Sequence, residues 1–110
     1  MPYEATVSYA GGTAHGPEAI LDASDQLELY DGTSFPGEQG IFTQQPVDCS
    51  GTPEEVMNRV RLAVLAALDA GAMPVVLGGE HSLTYGEMAA LKERFGTFGV
   101  VQFFHRRLPV

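Results

Sequence analysis

The sequence predicts an α/β protein with a parallel sheet, and three observations predict it. A capped amphipathic segment over 52–71 runs into a continuous apolar stretch at 73–77, a second helical pattern extends from Ser82 to Gly96, and a second apolar stretch follows at 98–104. Helix, strand, helix, strand with short connections is the pattern of right-handed βαβ crossovers. At 110 residues the chain has the size of one ordinary domain, and its 45% hydrophobic and 18% charged composition is that of a globular protein.

In chain order, residues 2–9 carry β-prone Tyr3, Thr6, Val7 and Tyr9 and predict a short strand that breaks at Gly11 and Gly12. Gly16 and Pro17 stand where an N-cap and a first helical residue belong, and Ile20, Ala23, Ser24 and Leu27 recur at helical spacing, so a short helix is expected over 17–26. From 31 to 45, Gly32, Pro36, Gly37 and Gly40 with few aliphatics predict a loop, with a short strand at 41–43.

Thr52-Pro53-Glu54-Glu55 spells a capping box, in which the Thr hydroxyl accepts from the Glu55 amide and the Glu55 carboxylate reaches back. Val56, Val60, Ala63, Val64, Ala67 and Leu68 then make a wide apolar face that ends at Gly71. The run 73–77, bounded by Gly71 and Gly78, has the pattern of a strand buried on both faces. Ser82 is placed to cap the next helix, whose Met88, Leu91 and Phe95 share a face, and Gly96 stops it. Met57, Met73 and Met88 are expected in the core, and Arg59 on the solvent side pairs with Glu55 four residues back.

Charge and composition exclude several function classes. Six basic against fourteen acidic side chains leave a net charge of −8, which repels phosphate backbones and anionic lipid, so neither nucleic acid nor a membrane is an expected partner. No apolar run approaches the roughly 20 residues that span a bilayer, and residues 1–9 lack the basic and apolar regions of a secretory leader. The single cysteine, Cys49, allows no internal disulfide and fits a reducing cytosol, so a cytoplasmic location is expected and the thiol reads as inert. His15, in a glycine-rich loop, reads as exposed or packed in the loop.

The densest chemical signal is Gly78-Gly79-Glu80-His81-Ser82, which sets a histidine just beyond the carboxyl end of a buried run, where open α/β sheets bind ligands. Three readings are open on spacing alone. His81 is a metal ligand, or it is a hydrogen-bonded structural histidine at a strand end, or the two glycines and the following helix start bind an anion. The third is weakened by Glu80 and by the absence of a nearby Lys or Arg. One histidine is not a complete metal site, because a catalytic metal takes about three protein ligands.

Residues 74–84, Pro-Val-Val-Leu-Gly-Gly-Glu-His-Ser-Leu-Thr, resemble the first metal-binding motif of the ureohydrolases, the family of arginase and agmatinase. Gly12-Thr13 followed by Gly16-Pro17-Glu18-Ala19-Ile20 is similar to that family's N-terminal pattern, and the spelling at Gln26-Leu27-Glu28-Leu29-Tyr30 is nearest to agmatinase-type members. The resemblance runs in order over residues 2 to about 103 and divides the chain into 1–103, the N-terminal part of a ureohydrolase domain, and 104–110, a tail that does not match. It implies a partial three-layer αβα parallel sheet of the arginase type. It also implies manganese-dependent hydrolysis of a linear guanidinium compound, with agmatine split to putrescine and urea first in order and arginine or guanidinobutyrate next. His81 is then one metal ligand, and it is the only residue here assigned to the site; no catalytic or cofactor-binding residue is assigned.

The departure from that pattern is sharp. After Val100-Val101-Gln102-Phe103 the family's Asp-x-His-x-Asp motif is missing, Phe104-His105-Arg106-Arg107-Leu108-Pro109-Val110 stands in its place, and no Asp or Glu follows Glu93. Two arginines beside His105 oppose a divalent cation, so a solvated basic tail is the preferred reading there. A frame shift is one hypothesis for the tail: with the codons CAC GCC GAC TT for His-Ala-Asp-Leu, one extra C after the histidine codon reads His-Arg-Arg-Leu, the order found at 105–108, and Phe104 requires a second small change. The chain alone is therefore expected to be inactive. The competing reading is a non-catalytic remnant or interaction module that associates with a full-length paralogue. The apolar run at 98–104, left without a neighbouring strand, predicts self-association into a homo-oligomer.

Overall fold

The computed structural model describes residues 1–103. The expectations placed on Phe104, on His105 and on the rest of the tail lie outside the described residues. Three α-helices carry the fold: α1 (Gly16–Ser24), α2 (Pro53–Asp69) and α3 (Thr84–Phe95), with short 3-10 turns at Thr13–His15, Pro36–Gln39 and His81–Leu83.

Helix α2 forms as its sequence dictates. Its capping box is complete, with the Glu55 amide donating to Thr52 Oγ1 at 3.3 Å and the Thr52 amide donating to Glu55 Oε2 at 2.8 Å. Val56, Val60 and Val64, each four residues apart, are buried on one stripe. At the other end Gly71 takes φ +73°, its amide donates to Leu68 and the Ala72 amide donates to Ala67, which is the Schellman arrangement that satisfies the last carbonyls.

Helix α3 packs on α2 through a face the apolar pattern did not mark. Gly86 and Ala90 are its buried positions, with Leu83 buried just before its start; of the expected face Leu91 is half-buried, whereas Met88 is 40% and Phe95 61% exposed. The reason is closeness: a Cβ on Gly86 would lie 2.6 Å from the Met57 carbonyl oxygen and 2.8 Å from Val60 Cβ, so the helices approach at the one position without a side chain. Arg61 bonds Glu93 at 2.7 Å and Arg94 bonds Asp69, tying the pair at its rim, where each exposed ion pair contributes at most about 1 kcal/mol. Tyr3 completes the core with Val56, Val60, Val64, Leu83 and Ala90.

Several expectations are corrected. Ser82 does not cap α3; its hydroxyl donates to the Glu80 carboxylate instead. Arg59 does not pair with Glu55, whose carboxylate is taken by the capping box; it bonds the Asp48 and Ser50 carbonyls. Of the three methionines, Met57 is half-buried against the core, while Met73 is 85% exposed.

The sheet is the larger difference. None of the expected strands at 2–9, 41–43, 73–77 and 98–103 forms among the described residues. A strand needs a partner for its backbone groups, and here pairing stops almost as it starts. The Met1 nitrogen donates to Leu77 O at 2.8 Å and the Gly79 amide donates to Met1 O at 3.1 Å, the two bonds of a single parallel bridge. The Tyr3 amide then turns back to Met1 O, Glu80 donates to Tyr3 O, and the register is lost. Those two bonds have the pattern of a parallel contact, and no strand is built on them among the described residues. Around 41–43 the chain is bare, with Ile41 87% and Phe42 86% exposed.

Candidate functional site

The site is built on the turn that joins the 73–77 run to α3. Gly78 and Gly79 bring that turn against the N-terminal segment: a Cβ on Gly79 would collide with the Tyr3 carbonyl oxygen and fall 3.1 Å from that of Thr13. The Gly79 and Glu80 amides are spent on the Met1 and Tyr3 carbonyls. Neither of these two amides is free to hold an anion.

Glu80 is the one buried charged residue of the described chain. Its carboxylate accepts from the Thr6 amide at 2.7 Å and from the Thr6 and Ser82 hydroxyls. Burial pushes its pKa up, but the hydrogen bonds from Ser82 and Thr6 outweigh that and leave it below the ordinary carboxylate range. Glu80 is thus a clamp, holding residue 6 against the turn. A second clamp lies upstream, where the half-buried Glu4 carboxylate accepts from the Gly12 and Ala14 amides at 2.7 and 2.8 Å and from the Thr13 hydroxyl at 3.0 Å. The bonds from Ala14, Gly12 and Thr13 hold the Glu4 pKa below its usual value.

These clamps present His81 at the surface. Its side chain is exposed, and its Nε2 lies 3.2 Å from Nε2 of Gln102. With the Gln102 amide donating, the ring accepts at Nε2 and carries its proton on Nδ1. His81 sits between two open clefts. One, of about 270 Å³, is lined by Gly78, Glu80, Thr84 and Glu87, and the other, of about 360 Å³, by Thr6, Ser8, Tyr9, Thr13 and Ser82.

Among the described residues no three His, Cys, Asp or Glu side chains converge as a metal site. His81 therefore offers a cation one imidazole, and the residues present do not by themselves fit a binuclear centre. The other candidates are quiet: His15 is exposed, and Cys49 is half-buried with burial pushing its thiol pKa up, which suppresses the thiolate. Sequence reasoning missed Gln102 as the neighbour of His81 and Thr6 as the anchor of Glu80. Both partners are far along the chain, and no local motif announces either.

Comparison with known proteins decides the family, because the arginase family model matches residues 1–103. The chain belongs to the arginase family. It is 42% identical to an N(1)-aminopropylagmatine ureohydrolase of Synechocystis sp., covering 93% of this chain and 36% of the relative. It is 38% identical to a protein of the same name from Thermus thermophilus, covering 92% and 36%, and 26% identical to the agmatinase of Bacillus subtilis, covering 94% and 37%. No solved structure matches. Arginase-family membership implies an α/β fold, and the chain spans about a third of the length of these curated relatives. No helix among the described residues is long and apolar enough to cross a membrane.

Proposed function

We propose that this chain is the N-terminal third of a ureohydrolase that cleaves a linear guanidino compound to urea and an amine. The observation that carries the reading is the family match through the Gly78-Gly79-Glu80-His81 turn, together with the way that turn is braced from behind by Glu80 and Thr6 so that His81 faces outward. Agmatine is one substrate candidate. Aminopropylagmatine stands beside it, because the relatives at 42% and 38% identity carry that name whereas agmatinases match at 26% and 30%. Manganese is the proposed cofactor by family, with His81 one of its ligands and the location cytoplasmic.

The chain's own residues do three things in this reading. Gly79 lets the backbone turn close under the site, Glu80 fixes the turn to residue 6, and His81 presents its imidazole beside the end of the 98–103 run. None of them positions the reacting water, and the described residues alone do not hold the metal, so the isolated chain is proposed to be silent. Measuring manganese content and urea release from agmatine and from aminopropylagmatine on the purified chain tests this. Turnover by the chain alone that survives His81→Ala would remove His81 from the site.

A second reading, a non-catalytic module, is favoured by one observation: Val75, Val101 and Phe103 are 74%, 81% and 92% exposed, more apolar surface than a finished active-site scaffold leaves bare.

A further inference from the structure

One wall of the larger cleft beside His81 is a loop pinned at both of its ends. At one end the Thr6 amide and hydroxyl donate to the buried Glu80 carboxylate. At the other the Glu4 carboxylate takes the Gly12 and Ala14 amides, and the Thr13 carbonyl oxygen packs against Gly79. Between these anchors the chain passes through Ala10 at φ +48°, the one non-glycine residue with positive φ among those described. A residue persists in that region only where its surroundings over-determine it, and such positions gather at active sites and ligand clamps. The stretch held in this way carries Tyr9, which is 92% exposed and lines the cleft with Ser8 and His81. The Thr6, Thr13 and Ser82 hydroxyls are committed to the two carboxylates, which leaves Ser8 and Tyr9 as the polar side chains of that wall open to a ligand.

The surrounding charge selects a cation. No Lys or Arg among the described residues lines either cleft at His81, Glu80 lines both and Glu87 one, and residues 1–50 carry eight Asp and Glu with no Lys or Arg. An anion is repelled there, whereas an ammonium or guanidinium is drawn in and can rest on the face of a bare phenol ring. We propose that the cleft between the 6–13 loop and His81 binds a linear organic cation of the alkylammonium or alkylguanidinium class, with Tyr9 the specificity-determining residue that covers the charged end lying away from His81. The cleft volume, about 360 Å³, is within the range of small-molecule sites, roughly 300–1,000 Å³. The proposal rests on the ureohydrolase reading for its choice of ligand, since a guanidino compound with an amine at its far end is charged at both ends.

The test follows the backbone amides of the full 110-residue chain by NMR, without metal, during titration with agmatine, with putrescine, which carries an ammonium at each end, and with neutral butanediol. Both cations are expected to shift the amides of residues 7–9 and 81–82 saturably, the diol is expected to leave them in place, and added salt to weaken the binding. Tyr9→Ala is expected to weaken the binding of both cations about fivefold, and Tyr9→Phe, which keeps the ring, by less than about twofold. Because Tyr9 is 92% exposed, both variants are expected to keep the helical circular dichroism of the parent. Tyr85→Ala, at a 74% exposed tyrosine of α3 that lines neither cleft, is expected to change nothing. No saturable shift, equal binding of the diol, or cation binding that Tyr9→Ala leaves intact would each overturn the proposal. The ureohydrolase reading fails separately: a cleft that holds putrescine through Tyr9 and does not hold agmatine keeps the cation site and removes that reading.

Discussion

Gly86→Ala should destabilise the chain, although Ala is the better helix former. In an open helix the change gains about 0.8–1 kcal/mol, because Gly loses more backbone entropy and leaves the helix exposed to water. Here the added methyl meets the Met57 carbonyl oxygen at 2.6 Å and Val60 Cβ at 2.8 Å, and neither can swing away, since one is backbone and the other is the root of a side chain. Relieving the first contact from 2.6 to 3.4 Å requires α2 and α3 to part by about 0.8 Å. Parting loosens the seam of Val56, Val60, Leu83 and Ala90, which are the larger part of the buried core. Overpacking of this kind costs about 1–3 kcal/mol, so after the propensity gain the net loss should be about 1 kcal/mol. Urea unfolding followed at 222 nm reads it, with Ala66→Gly at an exposed position of α2 as the calibration of bare helix propensity, expected to cost about 1 kcal/mol. A Gly86→Ala variant as stable as the parent, or more so, would refute the close helix approach.

Thr52→Ala should cost about 1 kcal/mol through loss of the capping box, seen as a lower unfolding midpoint. Glu4→Gln separates the pH dependence of the 12–14 turn. Since the folded pKa of Glu4 is lowered from 4.5, its stabilisation is present above pH 4.5 and is lost as pH falls through the folded value, so the parent and variant unfolding midpoints should converge in acid. Convergence at neutral pH instead would show that the carboxylate does not hold the turn. The isolated chain should release no urea above background and bind manganese weakly, as a metal titration would show.

The helices were legible because their signals are local. The Thr52 capping box and the glycine stops at Gly71 and Gly96 lie within a few residues of the bonds they make, and each forms where the sequence places it. Half the site was legible in the same way: Gly78, Gly79 and His81 stand in one short motif. The apolar runs were not enough to fix strands among the described residues, although the family implies an α/β fold. Residues 73–77 keep the alternation of a strand, yet alternation reports which face is covered, not whether a neighbour supplies the backbone bonds.

By itself, then, the sequence determined the family, the three helical segments, the acidic charge and the glycine turn that carries His81. An α-helix closes its hydrogen bonds within its own segment, so composition and spacing suffice to specify it. The tertiary structure alone decided that Gly86, rather than Met88 or Phe95, meets α2, that Glu80 is a buried clamp on Thr6, and that Gln102 stands against His81. It also decided that no strand is built on the parallel contact at Met1 among the described residues. Each of these is a meeting of residues distant in the chain, where close approach and unpaired backbone set the outcome and no local pattern records it.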